Sequence, residues 1–212
     1  MRITTTARAA VMAFIIGSFF AAPLYAQAHE HPATTPAVTP AAATAAPDAP
    51  SAETKQAFAL IKSLSGRWQG DFVIPETKKR VAMETSIRVT SHGNSVVHEM
   101  KGAGDPEGSD KADHPVTMMY LDGANLILTH FCDAGNRPRM SGRISPDGKV
   151  VDFDFLDVAG PTSHGHMQSA RFTFVDSTHH IEEWTWATPS GKTMSVPLDL
   201  HRVETVAALP AK

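Results

Sequence analysis

The 212-residue sequence contains one cysteine, Cys132. A single thiol cannot form an internal disulfide, so packing and backbone pairing must hold the fold. Charge of either sign is sparse. Nineteen Lys and Arg against 22 Asp and Glu leave a formal −3, which gives no reason to expect a nucleic-acid partner. There is no nucleophile elbow, H-E-x-x-H, P-loop or dinucleotide fingerprint. These absences exclude the motif-borne hydrolases, zincins and nucleotide enzymes. They leave open enzymes that gather scattered residues on a barrel. Apolar residues, at 42%, suffice for one core.

The N-terminus carries an export pattern. Arg2 and Arg8 flank a start region, and an apolar run from Ala9 to Ala22 leads to Pro23 and Ala26-Gln27-Ala28. That is the charged, apolar and A-x-A order of a secretory signal, predicting a leader over 1–28 and a periplasmic protein. The run is shorter than the roughly 20 apolar residues of a spanning helix. No stable membrane insertion is therefore expected after cleavage; the alternative is an uncleaved anchor. No cysteine lies near the cleavage site for lipid attachment. Residues 29–51 are largely Ala, Pro and Thr and read as a disordered spacer. Cleavage after Ala28 exposes His29 and His31, and cleavage after Ala26 puts His29 third. A free amine, two deprotonated amides and that imidazole can wrap Cu(II) or Ni(II) in a square plane. Chance is the competing explanation for these histidines.

The folded domain is expected over 52–205, with a disordered tail over 206–212. A short helix opens it. Ser51 can cap it, Thr54 stands at the capping-box position, Phe58, Leu60, Ile61 and Leu64 form an apolar stripe, and Gly66 ends it. From Gly66 the pattern has period two, most clearly in Val151-Asp152-Phe153-Asp154-Phe155. About ten strands follow, at 66–75, 80–90, 95–101, 115–121, 125–132, 137–144, 149–158, 165–176, 179–187 and 192–203. Tight turns at Ser91–Asn94, Asp122-Gly123, Pro146–Gly148 and Asp176–Thr178 would share one end. The longer connections would share the other. The reading is all-β: an up-and-down antiparallel barrel, closed below and open to ligand above.

Gly66-Arg67-Trp68-Gln69-Gly70 resembles the opening of the calycin superfamily, where Gly-x-Trp follows a short helical lead-in. The resemblance implies that Trp68 packs across the closed end and that Arg202, on the last strand, covers it. Gly66, Trp68, Gly70 and Arg202 would then be structural residues. Leu128 to Met140, with Glu183-Trp184-Thr185-Trp186, is similar to an uncharacterised family of secreted bacterial lipocalin-like barrels over residues 57 to 203. The chain is also distantly similar to nitrobindin-type haem barrels, which share Gly-x-Trp-x-Gly. It departs from them after Gly70, where Asp71-Phe72 stands in place of their further glycines and tyrosine.

Counting along the meander places several residues of one chemistry at the open rim. His130 and Cys132 are two apart on one strand, ~7 Å. His164 and His166 are two apart elsewhere, with His166 on the face of Ala170, Phe172 and Phe174. Arg137 and Arg139 open the sixth strand, and His98, Glu99 and His114 map to the same end. In one reading His130, Cys132, His164 and His166 hold a transition metal. In another, His130, Arg137, Arg139 and His166 make a cationic mouth for an anionic or amphipathic ligand, with Trp184 and Trp186 as a stacking wall. In a third, His130 and Arg139 tie down the loop at Asn136 and the rest are solvated. Cys132 is either a small buried hydrophobe or a thiolate favoured by Arg137, Arg139 and His130. Asp152 and Asp154 read as solvated strand residues. The leading function is binding of a small molecule. The rivals are an enzyme using haem or a transition metal, and an interaction protein without a ligand.

Overall fold

The computed structural model describes residues 49–74, 77–106 and 112–203. The expected leader, most of the spacer with His29 and His31, and the tail lie outside the described residues.

Helix α1 spans Ala52–Ser63. Ser51 Oγ accepts the Thr54 backbone N–H at 3.1 Å and lies 3.0 Å from the Thr54 hydroxyl. Gly66 does not end this helix. Leu64 is the C-cap, in the right-handed region, and Gly66 instead opens the first strand. Ala57, Phe58, Ile61 and Leu64 are buried in the core, and α1 packs on the fifth and sixth strands.

Ten strands follow: β1 (Gly66–Val73), β2 (Arg80–Thr90), β3 (Ser95–Gly102), β4 (Val116–Asp122), β5 (Asn125–Phe131), β6 (Arg137–Ile144), β7 (Val150–Ala159), β8 (His166–Phe174), β9 (His179–Ala187) and β10 (Thr193–Arg202). Each pairs antiparallel with the next, and β10 returns to β1, so the sheet is a closed up-and-down barrel. Closure leaves no unpaired edge. Alternation sorts the faces. Phe153 and Val151 point inward and are buried, while Asp152 pairs with Arg171 at 2.6 Å, and Asp154 with Arg143, on the outside. Register shifts at Arg139/Met140 and Met167/Ser169 interrupt the alternation in the half of the barrel near the long loops.

The short-turn end is plugged. Trp68 is wholly buried, and its indole Nε1 donates to the Leu64 carbonyl at 2.8 Å. The Arg202 guanidinium lies 4.1 Å over its ring. That guanidinium also donates to the carbonyls of Ser65 at 2.6 Å, Ser63 at 3.2 Å and Ser177 at 2.9 Å. One side chain thus joins the last strand to the end of α1 and to the turn before β9. Both glycines beside Trp68 make room for this closure. A Cβ on Gly66, whose φ is +145°, would lie 2.3 Å from Arg202 Nη1, and one on Gly70 would lie 1.9 Å from the Asp199 carbonyl oxygen. At Gly70 the backbones of β1 and β10 meet too closely for a side chain, and at Gly66 the positive φ and the Arg202 guanidinium both favour glycine.

Trp68→Ala should lower unfolding free energy by about 3–5 kcal/mol, as for large-to-small core changes. Arg202→Ala should lower it by about 1–2 kcal/mol, through loss of the stacked cation and its carbonyl bonds. Urea unfolding followed by far-UV circular dichroism reads both. A Trp68→Ala loss below that of Arg202→Ala would contradict the packing described.

Candidate functional site

The polar centre of the barrel is built from β9. Alternation along His180-Ile181-Glu182-Glu183-Trp184 turns His180, Glu182 and Trp184 inward, where they are 0, 0 and 5% exposed. Glu182 lies opposite Phe172 in the register, and no solvent reaches its carboxylate. Three N–H groups serve it instead. His98 Nε2, from β3, lies 3.0 Å from both oxygens, His180 Nε2 lies 3.0 Å from Oε1, and Trp184 Nε1 donates to Oε2 at 2.9 Å. Burial acts to raise the Glu182 carboxyl. The charge of His98, with hydrogen bonds from His180 and His98, outweighs it and holds the group below the usual carboxylate range. A buried ion without such partners would cost several kcal/mol.

Aromatic rings enclose the carboxylate. Trp68 meets His180 edge-on at 4.2 Å, and His98 sits 6.1 Å from Phe172 and 5.6 Å from Trp184. His130 extends the cluster, with its ring 5.3 Å from Trp184 and Nδ1 2.9 Å from the Thr117 hydroxyl. Burial, with His98 nearby, pushes His130 down to about 4, so it is neutral at pH 7. Among the described residues, three buried atoms here, His98 Nδ1, His180 Nδ1 and Thr85 Oγ1, have no hydrogen-bond partner. Such a concentration is unusual for a barrel core, where most buried polar atoms are paired.

The structure redistributes the expected rim residues. His98 is not at the rim; it is 1% exposed, in the lumen. His130 also faces inward and binds Thr117 rather than the Asn136 loop. Asn136 holds its own loop, with Nδ2 donating to the Pro161 and Gly165 carbonyls at 2.8 Å each. The cationic mouth fails for a geometric reason. Pro138 and Met140 are the buried positions of β6, so Arg137 and Arg139 point outward, and Arg139 is paired with Asp157. Cys132 sits just past β5, half-buried, and burial raises its thiol, so the thiolate is disfavoured. His164 is exposed in the β7–β8 loop. His166 lies against Phe155, with ring centroids 4.7 Å apart and planes tilted by 30°, and the register shift at Met167/Ser169 breaks the count that put it on the face of Ala170, Phe172 and Phe174. Among the described residues, no three of His130, Cys132, His164 and His166 bring ligand atoms close enough for one ion. Trp184 donates to Glu182, and Trp186, further along β9, is half-buried. His180, Glu182 and Thr117 were not singled out from sequence. Trp184 could have revealed Glu182, because residues two apart on a strand share a face.

Depressions in the surface include two largely away from this cluster. A cleft of about 640 Å³ lies between the β7–β8 and β9–β10 loops, lined by Val158, Thr162, His166, Gln168, Ala187 and Pro189 among others. A groove of about 430 Å³ runs over β1–β4, lined largely by charged outer-face residues, Arg67, Glu84, Glu99 and Lys101.

The depressed His130 sets a pH dependence. Below the ordinary imidazole value of 6.5 the unfolded chain takes a proton that the folded chain refuses until about pH 4. Stability is therefore present above pH 6.5 and lost as pH falls toward 4. The loss from this group between pH 7 and pH 5 should be about 2 kcal/mol. His130→Gln should flatten the dependence by about that amount in urea titrations at the two pH values. An unchanged slope would contradict a buried neutral imidazole.

No family model matches the chain, and no curated protein matches it. Among solved structures, it is similar to the crystal structure of Rv2717c from M. tuberculosis, with a TM-score of 0.52, 11% identity, and coverage of 70% of this chain and 98% of that one. A protein of unknown function from the DUF3598 family of Nostoc punctiforme aligns over 71% of this chain and 99% of its own, at 7% identity. Its TM-score of 0.21 carries no weight. The chain therefore shares a barrel fold with Rv2717c, and at 11% identity the likeness extends to the fold alone.

Proposed function

We propose that the protein is exported and binds a small, uncharged, amphipathic molecule at the long-loop end of its barrel. The cleft of about 640 Å³ carries this reading. Its volume falls within the range of small-molecule sites, and barrel mouths are a usual place for them. The opposite end is filled by Trp68, Arg202 and the apolar face of α1. The lining chemistry selects the ligand class. Val158, Ala187 and Pro189 offer apolar surface, Thr162, Thr188 and Thr193 offer hydroxyls, and Gln168 an amide. His166 is the one ionisable side chain in the lining. With Arg139 paired to Asp157 outside, nothing in the cleft favours an anion over a neutral molecule.

The test uses two fluorescent probes of similar shape, neutral N-phenyl-1-naphthylamine and its anionic sulfonate analogue. The neutral probe should bind in a saturable one-to-one manner, at least as tightly as the sulfonate. Ala187→Leu, which adds three carbons to the cleft wall, should weaken it by about fivefold, the order expected of steric overfilling. Absence of saturable binding, or unchanged affinity in Ala187→Leu, would sink the assignment. A Soret band in the purified protein would replace it with haem chemistry.

A further inference from the structure

We propose that His179, Asp199 and His201 form a zinc site on the outer wall of the barrel at its closed end. The cleft and the buried Glu182 cluster take no part in it. Alternation places these residues outside: their neighbours His180 and Leu200 are wholly buried, whereas the side chains of Asp199 and His201 are 62% and 66% exposed. His179 and His201 are directly opposed in the β9–β10 register, and Asp199 precedes His201 by two residues, on the same face. The imidazoles stack at 4.4 Å and 18°. Both present Nε2 to one oxygen, Asp199 Oδ1, at 2.7 and 3.3 Å. All three ligand atoms lie within 4.8 Å of one another, the one such group of three among the described residues.

The chemistry suits zinc. Two imidazole nitrogens and a carboxylate oxygen are borderline ligands, bound at about 2.0–2.2 Å in tetrahedral geometry, and solvent supplies the fourth position. Without a metal, a proton on either Nε2 would face the carboxylate. Moving those protons to the Nδ1 positions of neutral rings turns both Nε2 lone pairs toward the same point. Tetrahedral coordination then needs ligand atoms about 3.3–3.5 Å apart, within reach of side-chain rotation. The backbone is already fastened on both strands. The Asp176 N–H donates to the His179 carbonyl at 3.0 Å, and the Arg202 N–H donates to the Thr178 carbonyl at 2.9 Å. Binding would therefore involve little backbone ordering.

Cobalt(II) titration of the metal-free full chain, with zinc competition, tests the site. One equivalent of cobalt should develop the visible bands of a tetrahedral centre, and zinc should abolish them. His201→Gln and Asp199→Asn, both at exposed positions, should weaken zinc binding by about 100-fold and tenfold, in line with loss of a ligand from a three-residue set. Saturating zinc should raise the Tm of the parent protein and not that of His201→Gln. A variant carrying His29→Gln and His31→Gln should retain the cobalt bands. Bands that survive His201→Gln, or that disappear with the N-terminal histidines, would overturn the proposal.

Discussion

The pairing of β1 with β10 around Trp68 and Arg202 is the constraint on which the barrel depends. A meander of ten strands has two free edges until its first and last members meet. Here they meet with a glycine on each side of Trp68, because a Cβ at either would strike Arg202 or the Asp199 backbone. Arg202 then ties the last strand to the end of α1 and to the turn before β9. Closing the sheet and sealing its floor are accomplished by the same few residues.

A sealed floor makes the interior a low-dielectric enclosure, and an ion survives there only if fully solvated by protein. Glu182 meets that requirement with two imidazoles and an indole. The same cluster, backed by Trp68, Phe172 and His130, occupies the middle of the lumen. The cleft between the β7–β8 and β9–β10 loops is lined by other residues, among them Val158, His166 and Ala187.

On the outside the same alternation has the opposite effect. It exports Arg137, Arg139, Arg143 and Arg171 to the solvent face, where three of them find aspartates. It also brings His179, Asp199 and His201 onto one face of the β9–β10 hairpin, in register across its two strands.

The architecture was legible because closed antiparallel barrels repeat a two-residue period that survives without tertiary information. Strand limits read from Gly66 onward differ from those observed by no more than two residues, as in β8, expected over 165–176 and found over His166–Phe174. The Gly66–Gly70 resemblance also paired Trp68 with Arg202 on the last strand, and the guanidinium does lie over that ring. The site was less legible, for two reasons. Counting by twos fails across a bulge, and the shifts at Arg139/Met140 and Met167/Ser169 fall where the rim was being assigned. Spatial neighbours across a lumen also have no sequence signature: His98 and Glu182 stand 84 residues apart. Period and turn chemistry in the sequence determined that a ten-strand barrel would form. Only the closed tertiary structure decided which histidines meet a carboxylate, because closure sets the distance between strands that never pair.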